Sequence, residues 1–190
     1  MSSPARPTRR DAERNHEAIV TAAIAVLVAH PEASMQDIAD ASGTGRSTLY
    51  RHFPDRAALI AAIRARVVAE AEGIVLARLR EAGDGGQDAV SALAGLAVEL
   101  AGLGDRYRFV ERSAPATPEK SSAPEVEAAL ERFLADAQRR GEIRRDLDAR
   151  WLLEVYGAVV MAAAGEQGAA HRGRSSMVAR TVESLLRPPA

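Results

Sequence analysis

One short segment, residues 34–53, concentrates side chains that can form hydrogen bonds with phosphates and with the edges of nucleic-acid bases. Leu49 and Phe53 lie four residues apart, a spacing that predicts a helix anchored inward at these two positions. The polar and aromatic residues that are left on its outer side are Arg46, Ser47, Thr48, Tyr50, Arg51 and His52. We therefore expect contact with DNA from this helix.

A second short helix is expected directly before it. Ser34 with Asp37 three residues later is the pattern of a helix N-cap. Gly43 suits the left-handed backbone that ends a helix, and Gly45 is tolerated as the next N-cap. The apolar residues expected on the inner face of this helix are Met35, Ile38 and Ala39. Two short helices joined by a glycine turn predict a helix-turn-helix.

The segment resembles the DNA-binding domain of the tetracycline-repressor (TetR) family of bacterial regulators. The resemblance rests on Ser-Thr-Leu-Tyr-Arg-His-Phe at residues 47–53 and on Ile-Ala-Asp-Ala-Ser-Gly at residues 38–43. Pro54, Asp55 and Arg56, followed by Leu59 and Ile60, resemble the start of the family's fourth helix. Two features depart from the family pattern: His-Pro-Glu-Ala at residues 30–33 replaces a usual glycine, and Gly45 stands where a hydroxyl side chain is common.

The resemblance also implies roles for single residues. Arg46 and Thr48 are expected to read bases, with the role of Ser47 left open, whereas Arg51 suits bases or phosphates. Tyr50, His52 and Arg56 match family positions that hold phosphates. The full set of expected DNA-contacting residues is Arg9, Arg10, Ser34, Thr44, Gly45, Arg46, Ser47, Thr48, Tyr50, Arg51, His52 and Arg56. For any one arginine, the alternative is a hydrated surface charge.

The chain as a whole does not have the positive charge typical of a DNA-binding protein, but two of its segments do. The formal net charge is −1 at pH 7, so the chain as a whole has no general attraction to nucleic acid. Residues 1–14 nevertheless contain four arginines against two acidic residues, and residues 44–56 contain three arginines against one aspartate. Each segment is about two charges positive. Arg9 and Arg10 are expected to form an arm along the DNA backbone or in the minor groove.

Helical periodicity continues through nearly all of the chain after residue 11, and no alternating strand pattern occurs. The expected fold is all-α, with a three-helix helix-turn-helix DNA-binding domain over residues 1–64 and a helical ligand-binding and dimerisation bundle over residues 65–190. A long helix should begin at Asp55 and end near Gly83, and a break before Gly73 is left open. The other expected helices span residues 11–29, 87–103, 105–113, 125–140, 151–165 and 175–187, with a loop at residues 114–124.

The last two helices are expected to pair with a second copy of the chain. Apolar residues cover most of the circumference of the helix at residues 151–165, so it must be buried on more than one side. The family resemblance implies a four-helix bundle across a two-fold axis, and two copies would read a palindromic operator in double-stranded DNA. The residues expected at this homodimer interface are Gly157, Ala158, Ala162, Val178, Thr181, Val182 and Leu185.

The resemblance further implies a pocket for a small-molecule effector inside the bundle. Its expected lining residues are Leu96, Leu100, Phe109, Tyr156, Val160 and Met161, and each of them would otherwise be an ordinary core or surface residue. Arg108 or Glu111 would supply a polar anchor. Such an apolar lining favours a hydrophobic or amphipathic molecule.

Several other classes of protein are disfavoured. The chain has no cysteine, which excludes disulfides and is compatible with a reducing cytoplasm, where we place the protein. No apolar run approaches the roughly 18 residues that span a bilayer, so no membrane partner is expected. Glu13 and His16 have a spacing found in metal sites but lack a second such pair, and residues 43–48 follow a helix rather than the strand of a dinucleotide site. We expect no cofactor, metal or catalytic residues.

The sequence thus predicts a ligand-responsive, homodimeric DNA-binding regulator. Repression is expected, and activation stays open because it depends on where the operator lies. The alternative is an α-helical protein-binding module or enzyme that retains a non-functional reader domain. A second basic cluster, Arg139, Arg140, Arg144 and Arg145, is expected to cap a helix end and stay hydrated rather than bind nucleic acid.

Overall fold

The computed structural model describes residues 9–83, 88–103, 124–164 and 171–189. Every regular element in these ranges is an α-helix, which confirms the all-α prediction for this part of the chain. The helices are α1 (Arg9–Ala29), α2 (Met35–Ala41), α3 (Arg46–His52), α4 (Arg56–Gly83), α5 (Ala89–Gly102), α6 (Pro124–Arg140), α7 (Ala149–Ala164) and α8 (His171–Leu186).

The helix boundaries differ from the predicted ones in a few places. α4 is one uninterrupted helix that passes through Gly73, which answers the question left open by the sequence. α8 begins at His171 rather than at residue 175, and Pro124 is the first residue of α6 rather than the end of a loop. Proline suits this first helical position because its missing N–H would have no partner there. The helix predicted at residues 105–113 lies outside the described residues.

The chain divides into two compact units, whose described parts are residues 9–66 and residues 67–83, 88–103, 124–164 and 171–189. The core of the first unit consists of apolar side chains from α1 to α4 that are at most 3% exposed. They are Ile19, Val20, Ala23, Leu27, Ile38, Ala39, Leu49, Phe53, Leu59, Ile60 and Ile63. Each of the first three helices thus has at least one fully buried residue, and these residues fix the helix-turn-helix at residues 34–53 against the core of its unit.

The second unit is built around α5, which packs against both α7 and α8. Its core includes Leu93 and Leu96 of α5, Leu152 of α7, and Val178 and Val182 of α8. Because Val178 and Val182 fill the core of their own unit, they cannot also form an outer dimer face, and their predicted interface role is wrong. Burial at 1% likewise makes Leu96 a packing residue.

The connection between α6 and α7 is fixed by side chains that bond to the backbone. Gly141 ends α6 with a φ of 78°. The Gln138 amide donates to the carbonyls of Arg144 (2.9 Å) and Leu147 (2.8 Å), and the Arg145 guanidinium donates to the carbonyls of Gln138 (2.5 Å) and Arg139 (2.8 Å). This confirms the predicted helix-capping role for Arg145.

In the part of the chain that the structure describes, we find no helix with the length and apolar character needed to cross a membrane.

Candidate nucleic-acid interface

The start of α2 is fixed by a capping box at the surface. The Asp37 backbone N–H donates to Ser34 Oγ (3.2 Å), while the Ser34 backbone N–H and hydroxyl both donate to Asp37 Oδ2 (2.7 Å each). These hydrogen bonds hold the pKa of the Asp37 carboxyl below its ordinary value. The structure therefore confirms the predicted cap and gives the Ser34 hydroxyl an internal partner.

The turn between α2 and α3 is built around two glycines with different backbone conformations. Gly43 has a φ of +65°, the left-handed conformation predicted for it. Gly45 is the N-cap of α3 in extended conformation, and it supplies no side-chain hydrogen bond to the helix. The hydroxyls of Ser42 and Thr44, which flank Gly43, lie 2.6 Å apart, so Thr44 is held against the end of α2.

α3 has one buried face and one exposed face, as the spacing of Leu49 and Phe53 predicted. Leu49 and Phe53 are at most 2% exposed. The exposed side chains of the helix are Arg46, Ser47, Tyr50 and Arg51, whereas Thr48 and His52 are half-buried. The outer face is therefore cationic and rich in hydrogen-bond donors. It has four exposed side chains, whereas the sequence predicted six on this side.

Arg46 and Tyr50 form a stacked pair on this outer face. The central carbon of the Arg46 guanidinium lies 5.6 Å from the centroid of the Tyr50 ring, within the range of a cation–π interaction. An arginine held in this way loses less side-chain entropy when it binds a base edge or a phosphate. The stack gives the first turn of α3 a partly preorganised cation.

His52 is engaged with α1 rather than directed fully outward. Its ring centroid lies 6.1 Å from that of His16, which itself lies 4.8 Å from the ring of Phe53. The Nε2 atom of His52 is buried without a hydrogen-bond partner among the described residues. Burial, followed by the charges of Arg51 and His16, lowers the pKa of His52. Sequence reasoning had weighed His16 only as a metal ligand and missed this packing contact.

Arg56 also has an internal role. Its guanidinium donates to the carbonyl oxygens of Ala33 and of Pro31, the latter at 2.6 Å. These carbonyls belong to residues 30–33, the segment in which the sequence departs from the family pattern. Arg56 thus holds the connection between α1 and α2 in place.

Arg9 and Arg10 form the first residues of α1, so the structure does not place them in an extended arm. Arg10 is exposed at that end of the helix. The predicted arm is therefore corrected to a helical start, and contact of these two arginines with DNA stays a prediction.

The second unit contains a cavity of about 340 Å³ between α4, α5, α6 and α7. Of the predicted pocket residues, Leu100, Tyr156, Val160 and Met161 line it, Leu96 does not, and Phe109 lies outside the described residues. Tyr156 is buried, and its hydroxyl donates to the Leu93 carbonyl (3.0 Å); burial raises its pKa. Sequence reasoning missed the lining residues Val68, Val75, Val126, Leu130 and Leu153 and the charged rim of Glu72, Glu127, Arg150 and Glu154.

The residues predicted for dimerisation are distributed over more than one face. Ala158, Ala162 and Thr181 are exposed, while Gly157 and Leu185 are half-buried. Large apolar side chains are also exposed on the same two helices: Trp151 (48%) and Met161 (49%) on α7, and Met177 (68%) on α8. Uncovered side chains of this size are typical of surfaces that bind another protein.

Comparison with known proteins supports this reading of the amino-terminal segment. The sequence model of the family described as "Bacterial regulatory proteins, tetR family" matches residues 19–63, which cover the second half of α1, all of α2 and α3 and the start of α4. A curated relative, the HTH-type transcriptional repressor LfrR of Mycolicibacterium smegmatis, is 47% identical over 55 residues. The matched segment spans 29% of this chain and 29% of that relative.

Known crystal structures extend the likeness over almost the whole chain. The TetR transcription regulatory protein from Mycobacterium vanbaalenii is 26% identical, with a TM-score of 0.64 over 94% of this chain and 98% of that one. LfrR from Mycobacterium smegmatis in complex with proflavine is also 26% identical, with a TM-score of 0.61 over 90% and 96%. A regulator from Pectobacterium atrosepticum shares the fold at 21% identity and a TM-score of 0.69 over 96% and 100%. Residues 19–63 thus match the tetR family of bacterial regulatory proteins, and the chain as a whole is similar in fold to solved members of that family.

Proposed function

We propose that the chain is a homodimeric transcriptional repressor that binds a palindromic operator through the outer face of α3 and leaves it when a small molecule binds the second unit. The observation that carries the proposal is that one side of α3 is buried and the opposite side is exposed. Leu49 and Phe53 are buried, whereas Arg46, Tyr50 and Arg51 are exposed on the opposite side. A cationic, donor-rich helix on a rigid base can enter a major groove. DNA binding implies a cytoplasmic location.

Within this proposal, the start of α3 reads bases. Arg46 can donate two hydrogen bonds to a guanine, which discriminates by about 1 to 3 kcal/mol. Thr48 and Ser47 lie in the same turn and can contact neighbouring base edges or the thymine methyl group. Tyr50, Arg51 and Thr44 are proposed to hold phosphates. Arg56 and His52 are left with supporting roles because their side chains already contact the first unit.

A second copy is proposed to pack on the exposed faces of α7 and α8. Trp151, Ala158 and Ala162 share one face of α7, because offsets of seven and eleven residues return to nearly the same side of a helix. Met177 and Thr181 lie one turn apart and are exposed on α8. Small residues between large apolar ones allow the close approach of two helices. A dimer would then present two copies of α3 to the two halves of a palindrome.

Control by a small molecule is proposed to act through α4. This helix supplies Ile60 and Ile63 to the core of the first unit, and it supplies Val68 and Val75 to the cavity of the second. A ligand that fills the cavity would therefore contact the same continuous helix that contributes to the core of the first unit. The coupling needed for such control is typically about 1 to 3 kcal/mol. The domain limits that we propose are residues 1–64 and 65–190.

The test is a selection of bound genomic fragments followed by gel-shift titration of the fragment that binds most tightly. We expect Arg46→Ala and Tyr50→Ala each to weaken binding about ten-fold or more, in line with the loss of one good contact in each of two half-sites. Arg139→Ala is the matched control, since Arg139 is an exposed arginine that pairs with Asp136 in the second unit. Unchanged affinity in both α3 variants would refute the assigned surface.

Salt dependence separates this function from the alternative of a protein-binding module or enzyme. Operator binding through phosphates should weaken steeply between about 50 and 200 mM salt. A chain that is monomeric at micromolar concentration and shows weak, salt-insensitive association with every fragment would favour the alternative.

A further inference from the structure

Arg56 differs from the two arginines of α3 in where its side chain lies. Arg46 and Arg51 are exposed on α3, whereas Arg56, the first residue of α4, is half-buried. Both terminal nitrogens of its guanidinium are engaged: Nη1 donates to the Ala33 carbonyl, and Nη2 donates to the Pro31 carbonyl at 2.6 Å. Hydrogen bonds from a charged donor are among the stronger ones in proteins. Arg56 is therefore firmly bound to the connection between α1 and α2.

This connection, residues 30–33, has few backbone hydrogen bonds of its own. Proline lacks an N–H group, so Pro31 cannot donate one. Between described residues of the connection, there is one such bond, from the Ala33 N–H to the His30 carbonyl (3.0 Å). No backbone N–H of the described residues donates to the carbonyls of Pro31 and Ala33. Arg56 thus supplies the hydrogen bonds that these two carbonyls would otherwise take from water.

α2 begins directly after the connection. Ser34, which follows Ala33, is the N-cap of α2, and its capping box with Asp37 sets where the helix starts. Ile38 then fixes the helix in the core, and residues 42–45 join α2 to α3. Because the chain from Ala33 to α3 is short and regular, the position of the Ala33 carbonyl affects the position of α3.

We infer that Arg56 is a positioning residue for operator binding, and that it acts through its hydrogen bonds to the connection. It holds the start of α2, so that α3 meets the groove in a defined orientation. The inference rests on the proposed function, since it assigns how the operator-binding surface is held. Arginine suits this role because its planar guanidinium donates to two acceptors in fixed directions, whereas lysine has a single ammonium group on a flexible chain.

Arg56→Lys and Arg56→Gln provide the test, with gel-shift titrations of the selected operator fragment at several salt concentrations. Lysine keeps the positive charge but does not bridge both carbonyls, so we expect each variant to bind about five- to ten-fold more weakly than the parent. In Arg56→Lys the slope of log affinity against log salt should stay parental, because no phosphate contact is lost.

The phosphate contact implied by the family resemblance is the competing explanation, and it predicts a different result. A lysine can hold a phosphate, so Arg56→Lys would then keep nearly parental affinity and only Arg56→Gln would bind weakly. That result would overturn the inference. A salt slope shallower by about one or more in Arg56→Lys would also overturn it, because the lost affinity would then belong to a phosphate contact.

Two control variants separate positioning from loss of charge and from loss of stability. Arg66→Gln removes another arginine of α4, one that is exposed and forms a surface ion pair with Glu17 of α1. Ile19→Val truncates a fully buried residue of α1 and lowers stability without removing a hydrogen bond of the connection. Both should bind the operator within about two-fold of the parent at a temperature where thermal unfolding shows every variant folded. If Ile19→Val weakens binding as much as Arg56→Lys does, Arg56 acts through stability alone and the inference fails.

Amide hydrogen exchange without DNA distinguishes failure of this inference from failure of the proposed function. Peptides from α2 should exchange at least about three-fold faster in Arg56→Lys and Arg56→Gln than in the parent, while peptides from the middle of α1 keep the parental rate. Unchanged exchange in α2 would overturn the inference even where the operator binds. Faster exchange in α2, in a protein whose parent form binds no fragment, would support the link between Arg56 and α2 and refute the repressor.

Discussion

The guanidinium of Arg46 lies over the ring of Tyr50, with 5.6 Å between its central carbon and the ring centroid. Both side chains project from the exposed face of α3, one turn apart, and the ring limits the directions that the arginine can take. We interpret Tyr50 as having two roles toward DNA. Its hydroxyl can donate to a phosphate, and its ring positions the arginine that is proposed to read a base.

Two substitutions at Tyr50 separate these roles. Tyr50→Phe keeps the stack and removes the hydroxyl, so operator affinity should fall several-fold for all sequences alike. Tyr50→Leu removes the stack as well, which is worth about 0.5 to 1 kcal/mol at an exposed site. That variant should also lose discrimination at the base pair read by Arg46. Gel shifts on the operator and on single-base-pair variants of it measure both effects, and equal discrimination in the two proteins would contradict the positioning role.

The two glycines of the turn should respond oppositely to substitution. At Gly43 an added Cβ would meet no atom within 4 Å, but the φ of +65° disfavours any L side chain, so Gly43→Ala should lower the free energy of unfolding by about 1 kcal/mol. At Gly45 the backbone is extended and the space is also open. Gly45→Ser supplies an N-cap hydroxyl and should raise the free energy of unfolding by a few tenths of a kcal/mol.

Urea unfolding of both variants against the parent protein measures this difference. Because both positions have open space, packing clashes cannot account for a difference of sign. If Gly43→Ala proved as stable as the parent, the left-handed turn would not be needed to end α2.

The helix-turn-helix at residues 34–53 could be predicted from sequence because the residues that determine its structure lie close together in the chain. The N-cap at Ser34, the left-handed Gly43 and the inward pair Leu49 and Phe53 each follow from residue type and from spacing within a few positions. The structure confirms all of them.

The errors arise where a residue's role depends on a distant partner. Val178 and Val182 have the apolar spacing of an interface, and they fill the core of their own unit because α8 packs against α5. For Arg56 the phosphate contact stays a prediction, and what the sequence missed is its hydrogen bonds to carbonyls more than twenty residues earlier. The spacing of apolar residues indicates that one face of a helix is buried, but it does not indicate which other element covers that face.

The half-buried imidazole of His52 should make stability depend on pH. Its pKa is lowered in the folded state by burial and by the nearby charges of Arg51 and His16. The unfolded chain, with an ordinary histidine pKa of about 6.5, then binds more protons than the folded chain just below that pH. The stabilising contribution is therefore complete above about pH 6.5 and is lost as the pH falls toward the lower folded pKa.

His52→Phe keeps an aromatic ring beside His16 and removes the titrating group together with its unpartnered Nε2 atom. The variant should lose less stability than the parent between about pH 7.5 and pH 5.5. Urea unfolding at both pH values measures the difference. His30→Gln, which removes an exposed imidazole, serves as the control. A parent protein whose stability is the same at both pH values would show that the partial burial of His52 does not affect its protonation.

The exposed face of α7 provides a test of the proposed dimer that does not involve α3. Ala158 is exposed and lies on the same side of the helix as Trp151, which is 48% exposed. If two copies meet on this face, Ala158→Glu places a charge from each copy near the two-fold axis, where water is excluded and like charges repel. We expect the variant to be monomeric at micromolar concentration and to bind the operator at least about ten-fold more weakly, because one reader contacts only a half-site.

Analytical ultracentrifugation gives the oligomeric state, and a gel shift gives the affinity. Arg132→Glu on α6 is the control, since it also adds negative charge at an exposed site but on a helix outside the proposed interface. Thermal unfolding shows whether each variant remains folded, and Ala162→Glu offers a second exposed position on the same face of α7. If Ala158→Glu and Ala162→Glu both stay dimeric, the two copies must meet through another surface.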